Sequence, residues 1–306
     1  MLQKTKMTKV TNLNGVSVII PTFNDTDNLV RCLKALSLQD YPVNKIEIIV
    51  VNNNPKENLS YLQKQFNKLI VLDEKKVGSY AARNKGIEFS THDVLIFTDS
   101  DCIPDSQWVN KGMSYLKTHR TCKIVGGKVE KTFLNSQSPT ILELYDLFSF
   151  HQQERYISKY HFAVTANIFV KKEVFRLVGN FNQTMKSGGD SEFGNRAWKA
   201  GYQICYCPEA LVTHQAINNV NKLLGKMRRI TGGKFQRNRM TTEPLHSFLL
   251  KTLSGYFSSI FKAFEIRKKV SILNFSKLFA LEIIVQTVVL SEFLKLKFGG
   301  LTLRSY

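Results

Sequence analysis

Two aspartates stand at the end of an apolar run in this chain. Asp99 and Asp101 follow the segment Val94–Thr98, which has the character of a buried β-strand. In an extended backbone, positions i and i+2 project to the same side, so both carboxylates can reach one cation. Hard oxygen ligands suit Mg²⁺ or Mn²⁺, whose coordination is usually completed by water and substrate phosphates. The pair therefore indicates a divalent-metal site, although a solvated turn is the commoner explanation of D-x-D by itself.

The segments around this pair alternate between strand-like and helical patterns, which predicts an α/β fold with a mostly parallel sheet covered on both faces. Ligands in such sheets bind beyond the carboxyl ends of the strands. No G-x-G-x-x-G motif follows the first strand, which disfavours a dinucleotide-binding domain. The predicted strands are 16–20, 46–51, 69–72 and 94–98, and the predicted helices are 26–36, 79–87 with Ser79 as N-cap, and 108–119.

The middle of the chain mixes further strands with one clear helix. This helix is predicted over 191–200 and ends at Gly201, a suitable C′ glycine. The predicted strands are 124–129, 162–170, 203–207 and 210–214.

The charge of the chain is unevenly distributed. The 306 residues carry a formal net charge of +19 and are 43% hydrophobic, enough for a substantial core. From residue 219 onward there are sixteen lysines and arginines against four glutamates, a net +12 of that total. Such an excess indicates an anionic partner: a nucleotide, a nucleic acid or a lipid surface. We therefore divide the chain into a domain at 1–218 and a basic helical region at 219–306.

Cysteine usage and the first residues predict a cytoplasmic protein. The five cysteines are an odd number without a framework spacing, which favours a reducing compartment and free thiols. Cys205 and Cys207 lack the two-residue spacer of metal or redox pairs, so we interpret both as strand residues. Residues 1–14 are polar and have no apolar core, which argues against a signal peptide.

The last part of the chain predicts contact with a membrane surface. Apolar residues recur every three or four positions over 245–264, as in an amphipathic helix. The more apolar stretch 278–290 contains Glu282 and Gln286 and is too short to span a bilayer, which needs about 20 residues. These helices either dock on the anionic inner face of the cell membrane or pack on the preceding domain.

Five motifs, in this order, resemble the family 2 glycosyltransferases. They are V-S-V-I-I-P-T-F-N, E-I-I-V-V-N-N-N, A-A-R-N-K-G-I, T-D-S-D, and G-G-D-S-E-F with a later T-H. The resemblance runs from about Val16 to His214. It implies the GT-A fold, a Rossmann-like sheet flanked by helices. It also implies transfer of a sugar from a nucleotide diphosphate sugar to an acceptor hydroxyl, with inversion.

The resemblance also implies roles for individual residues. Metal binding, by Mg²⁺ or Mn²⁺, is implied for Asp99, Asp101 and His214, although a lone histidine is often structural. The family usually has an aspartate at the position of Asn52, and this aspartate accepts a hydrogen bond from uracil. The resemblance therefore favours a UDP-sugar, but the asparagine leaves the base preference open. Arg83 serves the donor or is a solvated helix charge. Nucleotide-sugar contact is implied for Pro21, Thr22, Phe23, Asn24, Asn52, Arg83, Asp99 and Ser100.

Asp190 is the candidate catalytic base. An inverting transfer needs a carboxylate near the acceptor hydroxyl to take its proton. Gly188 and Gly189 allow a close approach of backbone to substrate. Asp190 also suits the simpler role of a helix cap. Glu192 is the competing base, because the glutamate of the family's Glu-Asp pair is replaced by Gly189.

A basic cluster and two rival classes complete the prediction. The basic cluster, at residues 226–239, can close over the bound nucleotide sugar. It lacks the tryptophan of the Q-x-x-R-W signature that processive family members carry. A nucleotidyltransferase would show a glycine-rich basic phosphate loop after the first strand, and a nucleic-acid-binding protein would show basic residues interleaved with exposed aromatics. We therefore expect a non-processive enzyme of glycan or polysaccharide biosynthesis with a glycan or lipid-linked acceptor and no nucleic acid. The cluster comprises Lys226, Arg228, Arg229, Lys234, Arg237 and Arg239.

Overall fold

The computed structural model describes residues 15–236 and 271–300, with the isolated residues 244, 246, 247, 250 and 254 between them. The strands in these ranges form one mixed sheet. They are β1 (Val16–Thr22), β2 (Ile46–Asn52), β3 (Leu69–Asp73), β4 (Val94–Thr98), β5 (Cys102–Pro104), β6 (Cys122–Thr132), β7 (Asn167–Lys171) and β8 (Gln203–Gln215).

The strand order is β3-β2-β1-β4-β7-β6-β8-β5. The pairs from β3 to β4 are parallel, as is β6 with β8, whereas β7 is antiparallel to both of its neighbours and β5 is antiparallel to β8. The predicted mostly parallel α/β sheet is confirmed.

Helices cover both faces of this sheet. They are α1 (Thr26–Ser37), α2 (Ser79–Phe89), α3 (Trp108–Thr118), α4 (Ile141–Ser149), α5 (Gln153–Tyr160), α6 (Lys172–Val178), α7 (Gly189–Lys199), α8 (Val220–Gln236) and α9 (Ile272–Lys297).

Successive strand residues point to opposite faces of the sheet. Val18 therefore packs in the core under α1 and α3, and Ile19 packs in the core under α2, α6 and α7.

Two predicted strands differ from those observed. The strand predicted over 162–170 begins only at Asn167, and the segment before it is a loop. The two short strands predicted over 203–214 are one strand, β8, whose register against β6 shifts beside Gly127. A Cβ at Gly127 would lie 2.2 Å from the carbonyl oxygen of Ala210, so glycine permits this irregular pairing.

The helix boundaries follow backbone conformation more than side-chain capping. Ser79 is the first residue of α2 and makes no cap, because Gly78, with φ of +131°, precedes the helix. The N-cap prediction for Ser79 is therefore wrong. Gly201 ends α7 as predicted, with φ of +86° and its N–H donating to the carbonyl of Trp198. Helix α7 starts at Gly189, two residues earlier than predicted.

The cysteine prediction is corrected in one respect. Cys122 of β6 and Cys205 of β8 form a disulfide with a Cα–Cα separation of 6.1 Å, a usual span for this bond. Cys32, Cys102 and Cys207 are free and buried. Cys205 and Cys207 both lie in a strand, as expected. The disulfide joins residues 83 positions apart, so it becomes evident only from the pairing of β6 with β8.

Helices α4, α8 and α9 form a separate apolar layer through Leu144, Leu223 and Leu281. The predicted apolar stretch 278–290 is part of a helix of 26 residues, so the prediction that it is too short to span a bilayer is wrong. By length and composition alone α9 could cross a membrane. Ser271 begins it, because its hydroxyl accepts a hydrogen bond from the N–H of Asn274. Residues 1–14, most of the predicted helix 245–264, Arg237 and Arg239 lie outside the described residues.

A buried ion triad ties this layer to the sheet. Asp146 of α4 lies 2.5 Å from Lys131 of β6 and 3.3 Å from Lys226 of α8, and its side chain has no exposed surface. Burial alone would raise the pKa of Asp146, but Lys226 and Lys131 outweigh burial and lower it. Burial lowers the pKa of Lys226 to about 8, against the opposing effect of Asp146. One carboxylate thus forms ion pairs with two lysines that belong to different secondary-structure elements.

Replacing Asp146 by Asn should be strongly destabilising, because two buried ammonium groups lose their counter-charge. Breaking a buried ion pair from one side costs about 3–5 kcal/mol. Urea unfolding monitored by circular dichroism measures the change in the free energy of unfolding.

The matched control is Glu130→Gln, which removes the same charge from the half-exposed pair with Lys128 and should cost less than about 1 kcal/mol. The pKa of Asp146 is lower in the folded chain than in the unfolded chain. The contribution of Asp146 to the free energy of unfolding is therefore complete above about pH 4 and is lost as the pH falls further. The difference in the free energy of unfolding between wild type and Asp146→Asn should therefore become smaller as the pH is lowered. Equal unfolding midpoints for the two variants at pH 7 would contradict this role.

Candidate functional site

A cavity of about 780 Å³ lies where the end of β4 and the start of β7 meet the starts of α2 and α7. Helices α4, α5, α8 and α9 close it from the other sides. Three of the predicted site residues, Arg83, Asp99 and Asp190, line this cavity together. The size is within the range of about 300–1,000 Å³ that is usual for small-molecule sites.

Arg83 is buried and ion-paired, not solvated. Its Nη2 atom lies 2.5 Å from Oδ1 of Asp99, and the residue is 4% exposed. Burial raises the pKa of Asp99, and Arg83 opposes that shift. The interpretation of Arg83 as a solvated helix charge is therefore wrong. Its Nε atom is buried and has no hydrogen-bond partner within the described residues.

Asp101 and His214 are arranged as two neighbouring ligands of one cation. Oδ2 of Asp101 is 3.3 Å from Nε2 of His214, and adjacent ligands at about 2.1 Å from an octahedral ion lie about 3 Å apart. Nδ1 of His214 lies 2.7 Å from the carbonyl oxygen of Gln215, which accepts, and 3.4 Å from Nζ of Lys131, which donates. In the tautomer that donates from Nδ1 to Gln215, the Nε2 lone pair faces Asp101, and a metal ion between them would stabilise the contact.

The charge state of Asp101 agrees with this arrangement. Burial alone would raise the pKa of Asp101, but the neighbouring His214 and Lys131 outweigh it and hold that pKa at about 2. Across residues 15–236 and 271–300, no three His, Cys, Asp or Glu side chains are grouped to hold a metal by themselves. Asp99 is engaged by Arg83, so substrate oxygens would have to complete the coordination. The spacing of Asp101 and His214 would suit a divalent ion that binds together with a phosphate.

Asp190 is the second residue of α7 and does not cap it. Gly188, with φ of +76°, occupies the N-cap position, and no side chain caps the helix. The carboxylate of Asp190 instead accepts hydrogen bonds from the hydroxyl of Tyr80 and from the N–H of Thr165, the latter at 3.4 Å. Tyr80 also accepts from the N–H of Gly189 at 2.8 Å. Asp190 is thus held at the cavity wall with its carboxylate directed away from the helix axis.

Glu192, the competing base, is differently engaged. Its two carboxylate oxygens accept hydrogen bonds from Arg196, at 2.6 Å and 3.0 Å. It is not among the described residues that line the cavity. The geometry therefore favours Asp190 as the carboxylate available to a substrate.

The residues predicted to contact the nucleotide lie at the ends of β1, β2 and β4. Pro21 and Thr22 end β1, and Phe23 and Asn24 follow, with Asn24 at φ of +50°. The side-chain oxygen of Asn24 accepts a 2.6 Å hydrogen bond from Asn54 after β2. The residues at the ends of β1 and β2 lie side by side at the carboxyl edge of the sheet. The 780 Å³ cavity, which Asp99 lines, does not extend to them.

Asn52 and Ser100 are occupied within the protein. Asn52 is fully buried and donates to the carbonyl of Glu57 and to Asp73, while its oxygen accepts from the N–H of Asn54. Ser100 donates to the carboxylate of Asp25 at 2.8 Å. Asn52 thus shapes the turn after β2, and only the second lone pair of its carbonyl is left for a base.

Several residues of the site were not predicted from the sequence. Tyr80 precedes Arg83 by one helical turn, and this spacing on α2 is the signal that could have identified it. Thr165 was assigned to a strand, although it lies in the loop that contacts Asp190. His151 packs its ring on His214, with centroids 4.8 Å apart. No local pattern marks His151, because the contact depends on the fold.

The family model for glycosyl transferase family 2 matches residues 17–179, more than half of the chain. A second model, glycosyl transferase family group 2, matches residues 99–290. The first match includes Arg83, Asp99 and Asp101, and the second includes Asp190 and His214. Neither rival class, the nucleotidyltransferases nor the nucleic-acid-binding proteins, is favoured by these matches.

The chain is also similar to individual proteins. It is 38% identical over 249 residues to glycosyltransferase AglE of Haloferax volcanii, covering 79% of this chain and 81% of that protein. It is 24% identical to a dolichyl N-acetyl-alpha-D-glucosaminyl phosphate 3-beta-D-2,3-diacetamido-2,3-dideoxy-beta-D-glucuronosyltransferase of Methanococcus voltae, covering 69% and 70% of the two chains. The solved structure of mannosyltransferase PcManGT from Pyrobaculum calidifontis, in complex with GDP-Man and Mn²⁺, superposes with a TM-score of 0.61. That alignment has 15% identity and covers 93% and 87% of the two chains.

We expect Asp101→Ala to abolish the Mn²⁺-dependent part of nucleoside diphosphate binding, because one of the two paired ligands is removed. Isothermal calorimetry with UDP and with GDP, each with and without Mn²⁺, measures this part. Asp27→Ala, which removes an exposed carboxylate from α1, is the control and should bind like wild type. If Asp101→Ala keeps the full Mn²⁺-dependent affinity, Asp101 is not a metal ligand.

Proposed function

This chain belongs to glycosyl transferase family 2, and we propose that it transfers a sugar from a nucleotide diphosphate sugar to an acceptor hydroxyl with inversion. One observation carries the proposal: Asp190 lies on the wall of the same cavity as the Arg83–Asp99 pair and is not used as a helix cap. A carboxylate base and a charged donor site therefore share one enclosed space. The family membership supplies the reaction class, and the geometry supports the role of each residue.

Asp190 acts as the base in this mechanism. Its carboxylate takes the proton of the acceptor hydroxyl as that oxygen forms a bond to the anomeric carbon of the donor sugar. The bond from the anomeric carbon to the diphosphate breaks on the opposite face, and the nucleoside diphosphate keeps that electron pair. Tyr80 and the N–H of Thr165 orient Asp190 for the acceptor. An acceptor oxygen on one face and a leaving group on the other give inversion.

The leaving diphosphate needs compensating charge. Asp101 and His214, with Asp99 nearby, would hold Mg²⁺ or Mn²⁺, and a bound divalent ion supplies Lewis-acid stabilisation of the departing phosphates. The Mn²⁺ in the PcManGT complex supports this choice of metal. Arg83 orients Asp99 and opposes the rise of its pKa that burial causes. Lys226 and Arg229 line the cavity from α8 and add positive charge near the donor.

The donor is proposed to be a UDP-sugar, with a GDP-sugar as the competing choice. The family motifs at Pro21–Asn24 and Asn52 favour a base-binding site at the ends of β1 and β2. The replacement of aspartate by Asn52 leaves the base open, and the PcManGT complex contains GDP-Man. Incubation with a panel of UDP- and GDP-sugars, scored by the released nucleoside diphosphate, identifies the donor. Release from none of them in the presence of Mn²⁺ would contradict the proposed reaction.

The acceptor is proposed to be a lipid-linked glycan at the cytoplasmic face of the cell membrane, in a pathway that builds a cell-surface glycan. The name of the Methanococcus voltae relative includes a dolichyl phosphate sugar. Helix α9 presents an apolar outer surface, with Ile272 73% and Leu273 62% exposed. A basic and apolar carboxyl-terminal region suits an anionic membrane surface.

Asp190→Asn should lower kcat by about 10²–10⁴-fold, because the amide cannot take a proton. Binding of the donor should change little, since Asn keeps the shape of the side chain. Turnover is measured by nucleoside diphosphate release with the donor that the panel identifies.

Glu192→Gln is the matched control, because it removes the neighbouring carboxylate of the same helix. We expect it to keep turnover near the wild-type level. The roles of the two residues must be exchanged if Glu192→Gln loses turnover while Asp190→Asn retains it.

Membrane docking predicts binding to phosphatidylglycerol vesicles that weakens with added salt. Basic residues near an anionic surface contribute about 1 kcal/mol each to binding. In a vesicle flotation assay, less of the double variant Lys277→Gln/Lys295→Gln on α9 should therefore float with the vesicles than of wild type. The control Lys111→Gln/Lys117→Gln removes two exposed lysines from α3 and should float normally. Recovery of wild type in the soluble fraction, with or without vesicles, would argue against docking.

A further inference from the structure

Residues 179–188 join α6 to α7 and carry the proposed base into the cavity. Asp190 is the second residue of α7, which begins at Gly189. Ser187 and Gly188, the last two residues of this connecting segment, line the same cavity as Asp190. Gly188 has φ of +76°, a conformation that glycine adopts without strain. The position of Asp190 therefore depends on what holds the connecting segment.

Helix α2 holds the connecting segment near both of its ends. The side-chain amide of Asn84 donates to the carbonyl oxygen of Phe181 at 2.8 Å, and its oxygen accepts from the N–H of Phe181 at 3.1 Å. The hydroxyl of Tyr80 accepts a 2.8 Å hydrogen bond from the N–H of Gly189. Between these two points the segment forms turns and bends, with no strand or helix of its own. Contacts with another element must therefore fix its second half.

Helix α8 makes these contacts through one glutamine and one glycine. Gln236, the last residue of α8, accepts a 3.0 Å hydrogen bond from the N–H of Lys186 and donates at 3.1 Å to the carbonyl oxygen of Thr184. One turn earlier, a Cβ on the buried Gly233 would lie 2.4 Å from the carbonyl oxygen of Ser187 and 2.8 Å from its Cβ. Atoms cannot approach so closely without strain, so only glycine lets α8 lie against this backbone.

We infer that Gly233 and Gln236 are positioning residues of the transfer reaction, because they fix the backbone that presents Asp190 to the acceptor hydroxyl. The inference rests on the proposed function, in which Asp190 is the base. Neither residue is among the described residues that line the cavity, so both act through the connecting segment and not through contact with substrate. A displacement of about 1 Å at a catalytic group can lower the rate about 100-fold.

The competing explanation is that these contacts only attach α8 to the rest of the protein. Helix α8 has other contacts for that purpose. Leu223 packs in the apolar layer with α4 and α9, and Lys226 is paired with the buried Asp146. The hydrogen bonds of Gln236, in contrast, go to the connecting segment. The contacts at the end of α8 therefore suit the placement of that segment more than the attachment of the helix.

Gly233→Ala is the first test variant. Its methyl group must displace the backbone of Ser187, so kcat should fall by at least about tenfold. Turnover is measured by nucleoside diphosphate release with the donor that the panel identifies. Calorimetry with nucleoside diphosphate and Mn²⁺ should give an affinity near that of wild type, because Arg83 and Asp101 lie outside the connecting segment.

Gly225→Ala is the matched control for this variant. It makes the same change on the same helix, but a Cβ on Gly225 meets no atom of the described residues within 4 Å, apart from the helix itself. Alanine favours helix over glycine at both positions. We therefore expect Gly225→Ala to keep kcat near the wild-type value, so that a loss in Gly233→Ala reports the contact with Ser187.

Gln236→Ala tests the same role at an exposed position, where folding is less at risk. It removes the hydrogen bonds to Lys186 and Thr184, and kcat should fall by about fivefold, as expected for the loss of ordinary hydrogen bonds. The control is Gln137→Ala, which removes an exposed glutamine from the loop before α4 and should leave kcat unchanged.

Combination with Asp190→Asn distinguishes positioning from a purely structural role. If Gly233 acts through the base, Gly233→Ala should lower the residual turnover of Asp190→Asn much less than it lowers that of wild type, because effects on one functional unit are not additive. A purely structural role would lower both by the same factor. Thermal unfolding of each variant shows whether a loss of turnover comes from unfolded protein.

Two results would overturn the inference. One is unchanged kcat in folded Gly233→Ala and Gln236→Ala, and the other is an equal loss with and without the Asp190 carboxylate. If Gly233→Ala does not fold, Gln236→Ala alone and in the Asp190→Asn background decides. Either result, with wild-type turnover that Asp190→Asn lowers, rejects only the positioning role. Absence of turnover by wild type with every nucleotide sugar rejects the proposed function and this inference with it.

Discussion

The site depends on one electrostatic constraint: each carboxylate that is partly withdrawn from water is paired with a group from another element. Removing an ionised group from water costs several kcal/mol unless hydrogen bonds and counter-charges replace the solvent. Asp99 after β4 is matched by Arg83 of α2, and Asp101 is matched by His214 of β8. Asp190 of α7 is held by Tyr80 of α2. These contacts determine how α2, α7 and β8 meet around the end of β4.

Helix α2 has a central position in this arrangement because it serves both halves of the proposed reaction. Arg83 faces the donor-side carboxylate, and Tyr80, one turn earlier, faces the proposed base. The Tyr80 hydroxyl links Gly189 to Asp190, so the start of α7 is positioned from α2. One helix thus positions the residues proposed for the donor side and the proposed base, and its other side lies in the core.

The sequence was most informative where chemistry follows directly from local pattern. The apolar runs 16–20 and 94–98 predicted β1, β4 and the position of Asp99 at the sheet edge. It was least informative where contacts join distant segments. Only the fold shows that Asp190 is not the helix cap, because Gly188 occupies that position and the Asp190 carboxylate contacts Tyr80, 110 residues earlier. The length of α9 was underestimated because polar residues flank the apolar stretch 278–290, although the helix continues through them from Ile272 to Lys297.

The central claim is a direct displacement in which Asp190 activates an acceptor on the face opposite the leaving diphosphate. The most direct test is proton NMR of the anomeric configuration of the first product, recorded during turnover with an α-linked nucleotide sugar and the wild-type enzyme. The account predicts a β-linked product from the earliest time points. An α-linked product would contradict it, because retention requires a mechanism that a single base on one face of the sugar cannot provide.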